Sequence, residues 1–212
     1  MNEAFTIFMM ITAVLVFALR KYKKSIFFYQ IQTAFLIAIF LSIYTNNDIK
    51  ELLSWSIIAF FTKFIFVPTL LYFLIKKLNC INETTPIGGF FVSPLIAVSF
   101  SFAFAVALYS IFKNFALINQ MLPLIACGFL FSMGICGFIL RTSFIKQILA
   151  YCLIENGIHL CLALMAYNAH EIVEIGILTD AIFAVIIMSI LAIRFNKSFE
   201  TLDVTNASQL KG

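Results

Sequence analysis

The sequence predicts an all-α integral membrane protein of about seven transmembrane helices, arranged as two parallel three-helix repeats joined by a connector helix. Three observations carry that expectation. First, 63% of the 212 residues are hydrophobic and 11% are charged, with a mean hydropathy of +1.05. A soluble domain is roughly half apolar and about a quarter charged, so the surplus apolar surface here must face lipid. Second, apolar segments long enough to cross about 30 Å of hydrocarbon recur along the chain with only short polar turns between them. Third, one half of the chain echoes the other.

The apolar segments fall at roughly 3–20, 25–45, 52–75, 87–112, 120–140, 144–166 and 172–194. The first opens with "MNEAFTIF", which lacks the basic n-region of a cleaved signal peptide, and ends at "FALR". A basic turn leads into the second, which closes on "TNNDIKE". The third contains "FFTKFIFVPTLL", with Lys63 at its centre and Pro68, whose missing N–H predicts a kink. The fourth and fifth have the least sharply marked ends, because of Pro94, Pro123 and the polar stretch "KNFALINQ". The sixth includes "YCLIENGIHLCLALMAY"; the seventh follows "YNAHEIVE" and carries Asp180.

The repeat is read from "FALR" at 17–20 and "FILR" at 138–141, each ending a helix before a short basic turn. Tyr29 and Tyr151 lie at nearly matching offsets, as do the loops "TNNDIKE" and "YNAHEIVE". The expected division is a first unit at 1–78, a connector with helix 4 at 79–119, a second unit at 120–196 and a tail at 197–212. Four helices separate matching members, so the copies run parallel.

Charge sets the expected orientation. Of the 14 Lys and Arg, eleven fall in the odd-numbered connections and the tail, Lys50 and Lys113 fall on the other side, and Lys63 lies within a span. By the positive-inside rule the N-terminus is outside and the C-terminus cytoplasmic. The net charge of +4 reflects those loops and calls for no nucleic-acid partner. The five cysteines form no C-x-x-C pair and read as small membrane residues rather than a disulfide or metal framework. No phosphate loop, nucleophile elbow or haem-attachment motif is present, so the chain alone is expected to catalyse no reaction and to need no cofactor.

The candidate functional residues are the charges inside the spans. Each centrally placed charge costs on the order of 2.5–3.5 kcal/mol on insertion scales, and such residues mark ion or proton paths. Glu155 is the midpoint of the sixth helix, and Asp180 lies about one turn from the centre of the seventh. Counted from the shared loop, at about 1.5 Å rise per residue, their depths differ by about 5 Å. Spacing puts Tyr151, Cys152, Glu155 and His159 on one face, with Asn156 beside it. His159 is a candidate proton carrier or hydrogen-bond partner; two ligands at i and i+4 do not make a metal site. Lys63 is the charge of the first unit. The competing reading is that these groups pair as buried ions or glue helices together.

The segment "QILAYCLIENGIHLCLALMAYNAHEIVEIGILTDAIFAVII", with the tail "TLDVTNASQLKG", resembles component E of hydrogenase-4-type complexes, membrane subunits of formate hydrogenlyase and related energy-converting nickel–iron hydrogenases. The likeness is most specific over 140–212 and persists more thinly through "LRKYKKS" and "FFTKFIFVP". The second unit is also similar to the K-type subunit of respiratory complex I and the C-type subunit of multisubunit cation/proton antiporters. Those relatives share a helix-ending arginine, matched by Arg141, and a tail closing in a basic residue and glycine, matched by Lys211 and Gly212. Of the two intramembrane glutamates of the K-type subunit, the second falls at Asp180 and the first at Cys152, with Glu155 one turn later.

The resemblance implies a non-catalytic subunit of a complex I-like assembly in the bacterial cytoplasmic membrane. Its partners would be antiporter-like and quinone-site-like membrane subunits and soluble hydrogenase and iron–sulfur subunits. Glu155 and Asp180 would be exchangeable carboxylates, His159 a relay or tuning group and Lys63 a counter-charge, with Tyr151 and Asn156 as supporting polar groups. The alternatives are an antiporter subunit without a redox partner and a purely structural membrane subunit.

Overall fold

Backbone groups in hydrocarbon must be satisfied within the chain, which a helix does locally, and each predicted span is helical. The computed structural model describes residues 2–47, 49–118, 120–166 and 170–209, except for the side chains of 2, 170–175, 177–181 and 207–209. Helices α1 (Asn2–Ala18), α2 (Tyr22–Asn47), α5 (Gly89–Phe112), α6 (Met121–Leu140), α7 (Phe144–Met165) and α8 (His170–Phe199) are uninterrupted. The third span is composite: α3 (Lys50–Ala59), a π-helical segment (Phe60–Phe66) and α4 (Val67–Leu78). Among the described residues there is no strand, six spans are long and apolar enough to cross a membrane, and α1 is a shorter apolar helix. This is the fold of a multi-pass membrane protein.

The kink expected at Pro68 takes another form. The helix widens before the proline, so that the Val67 N–H reaches back five residues to the Thr62 carbonyl. Pro68 then stands in the first turn of α4, where a missing N–H is tolerated. The Phe64 carbonyl, four residues before it, instead accepts a long bond of 3.5 Å from Gln30 Nε2 on α2. Helix ends also run past the apolar stretches, α2 starting at Tyr22 and α8 continuing to Phe199. The lysines and arginines there have stems long enough to carry their charge out of an apolar surround.

The centre of the bundle is the α6–α7 pair. A Cβ added at Gly134 would stand 2.4 Å from Ile154 Cγ1 and 2.6 Å from the Ala150 carbonyl, and one at Gly157 2.8 Å from the Phe131 backbone nitrogen. These glycines let two backbones meet closely, the way membrane helices gain packing in the absence of a hydrophobic drive between them. Gly157 turned toward α6 leaves the Glu155–Asn156–His159 face for α2 and the π segment.

Helix α2 runs beside α7 in the same direction. Tyr22 bonds Ser143 at 2.7 Å, Ser25 bonds Lys146 at 2.8 Å and Asn156 donates to Gln32 at 2.7 Å, separations of 121, 121 and 124 residues. The two "F-x-L-R" motifs are offset by the same 121 positions. At one end the connections are laced together. Glu83 N–H donates to the Arg20 carbonyl at 2.9 Å, Ile87 N–H to Leu140 at 3.0 Å, Phe144 N–H to Leu202 at 3.2 Å and Val204 N–H to Thr142 at 2.8 Å. The basic turns before α2 and α7 and the start of the tail therefore share one end of the bundle.

Candidate functional site

The π turn sets the direction of Lys63, which is 1% exposed and points at α7 across the bundle. Its ammonium lies 3.3 Å from Glu155 Oε1, donates to Asn156 Oδ1 at 3.0 Å and meets His159 Nδ1. An ammonium only donates, so Nδ1 accepts and the ring proton belongs on Nε2. His159 Nδ1 is 3.9 Å from the same Glu155 oxygen. Asn156 passes the network on, its Nδ2 donating to Gln32 Oε1 at 2.7 Å and reaching Thr33 Oγ1 at 3.5 Å. Glu155, Asn156 and His159 are all buried. The arrangement holds one ammonium, one carboxylate and one imidazole in mutual contact, so a proton can be exchanged among three titratable groups with little movement.

Four of the expected residues, Lys63, Glu155, Asn156 and His159, come together here. Tyr151, one turn before Glu155, is only half-buried. Asp180 falls on α8, and its side chain lies outside the described residues, as does the proposed proximity of Asp180 to Glu155. Lys63 is no isolated charge of the first unit, because it closes the network of the second. Gln32 and Thr33 escaped the sequence reading, and Tyr29, one turn before them on the same buried face of α2, enters it only as a match to Tyr151. A period of three to four among 22, 25, 29 and 32 was the available signal. Among the described residues no three His, Cys, Asp or Glu side chains group as metal ligands would.

A second buried cluster closes the laced end. Glu83, in the loop before α5, accepts from Arg141 Nη1 at 3.0 Å and lies 3.9 Å from Lys146 Nζ. Lys146 donates to the Val16 and Leu19 carbonyls at 2.7 and 2.6 Å, capping the C-terminal end of α1 with positive charge, as the helix dipole favours. The Arg141 guanidinium stacks 4.1 Å over the Phe17 ring. Burial pushes the Glu83 carboxyl up from its ordinary range, opposed by Lys146 and Arg141. Burial also brings the Arg141 guanidinium down, opposed by Glu83. Arg141 and Lys146, assigned in the sequence to a connection between helices, are both buried, with Glu83 folded in beside them. Glu83 is the sole acid between Glu51 and Glu155, which was its signal.

Fold and site together define a multi-pass helical membrane protein that keeps a network of three titratable side chains inside its bundle. The model of NADH-ubiquinone/plastoquinone oxidoreductase chain 4L matches residues 122–212, the part that supplies Glu155 and His159. Over the whole chain, hydrogenase-4 component E of Escherichia coli K12 is 35% identical across 96% of this chain and 94% of its own length. The proteins of the same name from Escherichia coli O157:H7 and Shigella flexneri match to the same extent. The chain belongs to the hydrogenase-4 component E family. No solved structure matches it.

Proposed function

We propose that this chain is a non-catalytic membrane subunit of a complex I-like, energy-converting hydrogenase of the formate hydrogenlyase type. It lends buried ionisable residues to a proton or Na⁺ path coupled to redox chemistry in its partners. The observation that carries this reading is the Lys63–Glu155–His159 network, 3.3 Å across its ion pair and sealed from solvent. Family membership supplies the context of a complex I-like membrane assembly in the bacterial inner membrane, and the distribution of basic residues favours the tail end lying in the cytoplasm. Glu155 and Asp180 exchange the proton, Lys63 switches partner as Glu155 changes charge, and His159 relays or tunes. The Tyr22–Ser143, Ser25–Lys146 and Gln32–Asn156 contacts support reading 1–78 and 120–196 as two parallel units.

The test separates a relay from assembly glue. Lys63→Met with Glu155→Gln removes both charges together, so the fold is left without an unpaired ion, while no carboxylate remains to exchange a proton. The complex should assemble, and its redox-driven ion uptake into vesicles, at equal complex content, should fall severely. Asp180→Asn should behave alike, since relay members act as one unit. Full coupled transport in the assembled double variant would remove this network from the path.

A further inference from the structure

A groove of about 420 Å³ opens at the laced end between the start of α2 and the end of α4, lined by Lys23, Tyr72, Lys76, Asn79 and the Cys80–Ile81 segment. It is a built feature. Tyr22 N–H donates to the Ile81 carbonyl at 3.3 Å, Lys21 pairs with Asn82, and Tyr72 donates to the Lys23 carbonyl at 3.4 Å. Asn79 turns the chain through a left-handed conformation with φ 52°, which asparagine tolerates better than most residues.

The groove is cationic, with no acid among its lining residues. Lys23 and Lys76 line it, Lys21, Lys24 and Lys77 lie within two positions of them in sequence, and residues 20–29 and 70–82 contain no Asp or Glu. Among the described residues the ion pairs involve Lys63, Arg141, Lys146 and His159, and none of these five. The first turn of α2 carries two of the lysines and no acid, against the preference of a helix N-terminus for negative charge. The N-terminal dipole of α2 and its own Lys23 and Lys24 converge on one place where an anion would relieve both, and Lys76, at the C-terminal end of α4, faces it from the other side of the groove.

The flanks say which kind of anion. One turn into α2 from Lys23 and Lys24, Phe27 is 53% exposed; one turn back along α4 from Lys76 and Lys77, Phe73 is 63% exposed, and Ile81 at the rim is 67% exposed. A soluble phosphate would meet only the lysines. A molecule with an anionic head and long apolar tails meets both surfaces at the depth where the helices leave the hydrocarbon. We propose that this groove binds an anionic glycerophospholipid, its phosphate between Lys23 and Lys76 and its acyl chains along Phe27 and Phe73. Basic pockets between transmembrane helices bind such headgroups.

The test is native mass spectrometry of the complex extracted in mild detergent, comparing wild type with Lys23→Gln/Lys76→Gln and Lys23→Arg/Lys76→Arg. Wild type and the arginine form should each retain one phosphatidylglycerol or cardiolipin per chain. The glutamine form should lose it, and lipid titrated back should bind about thirty-fold more weakly, ~2 kcal/mol for two lysines. Inorganic phosphate should not displace the lipid. Equal lipid retention in the glutamine form overturns the proposal. Displacement by phosphate would assign the site to a soluble anion and overturn it too, as would loss of a partner subunit from the glutamine form with lipid content unchanged.

Discussion

Removing Lys63 alone leaves a carboxylate facing an apolar interior, and the size of the penalty follows from the geometry. At 3.3 Å and an effective dielectric of about 20, the attraction between Lys63 and Glu155 is about 5 kcal/mol. Inserting the two charges costs about 2.5–3.5 kcal/mol each, so the pair comes close to breaking even against neutral replacements. Losing one partner is different, costing about 3–5 kcal/mol because the other ion is stranded. Lys63→Met and Glu155→Gln should therefore each destabilise by about that much, less whatever Glu155 recovers by taking up a proton. The double variant should return to within about 1 kcal/mol of wild type. Cys127, Cys136 and Cys152 are buried, so a thiol-reactive dye reports unfolding as the protein is heated in detergent. At about 2–4 °C per kcal/mol for a chain of this size, the single variants should melt roughly 6–20 °C lower, and the double variant close to wild type. Additive losses, with an interaction energy under about 0.5 kcal/mol, would mean that the two side chains do not pair in the folded protein and would remove the basis of the switch.

Gly157→Leu should abolish accumulation of the folded chain, measured by detergent-resistant monodisperse protein, since even a Cβ there would stand 2.8 Å from the Phe131 backbone nitrogen. Glu83→Ala should destabilise by about 3–5 kcal/mol by leaving Arg141 and Lys146 buried without their acid; an unchanged melting temperature would contradict the buried cluster. A reporter active only in the cytoplasm should work when fused after Gly212 and fail when inserted at 168–171, and reversed signals would invert the orientation. The chain purified alone should bind no nickel and show no iron–sulfur absorbance, and a stoichiometric metal content would end the accessory-subunit reading.

The spans and their order follow from composition. Lipid admits only internally bonded backbone, so an apolar run of spanning length has little choice but to be a helix, and all seven runs are helical, six of them, among the described residues, long and apolar enough to cross a membrane. Lys63, Glu155 and His159 stood out for the same reason: an ionisable residue in an apolar run is expensive whatever surrounds it. Local chemistry could not say which charges meet. Lys63 joins Glu155 rather than remaining in its own unit because a π turn, written nowhere in "FFTKFIF", rotates it toward α7 and because Gly157 turns the polar face of α7 away from α6. Gln32 became part of the network through α2 lying parallel to α7, a contact between residues 124 positions apart. Nothing in the sequence marked Glu83 as buried, and only the folded end sets it against Arg141 and Lys146. Insertion cost is a property of each segment alone and is legible in sequence; pairing depends on helix rotation and register, which only the packed bundle decides.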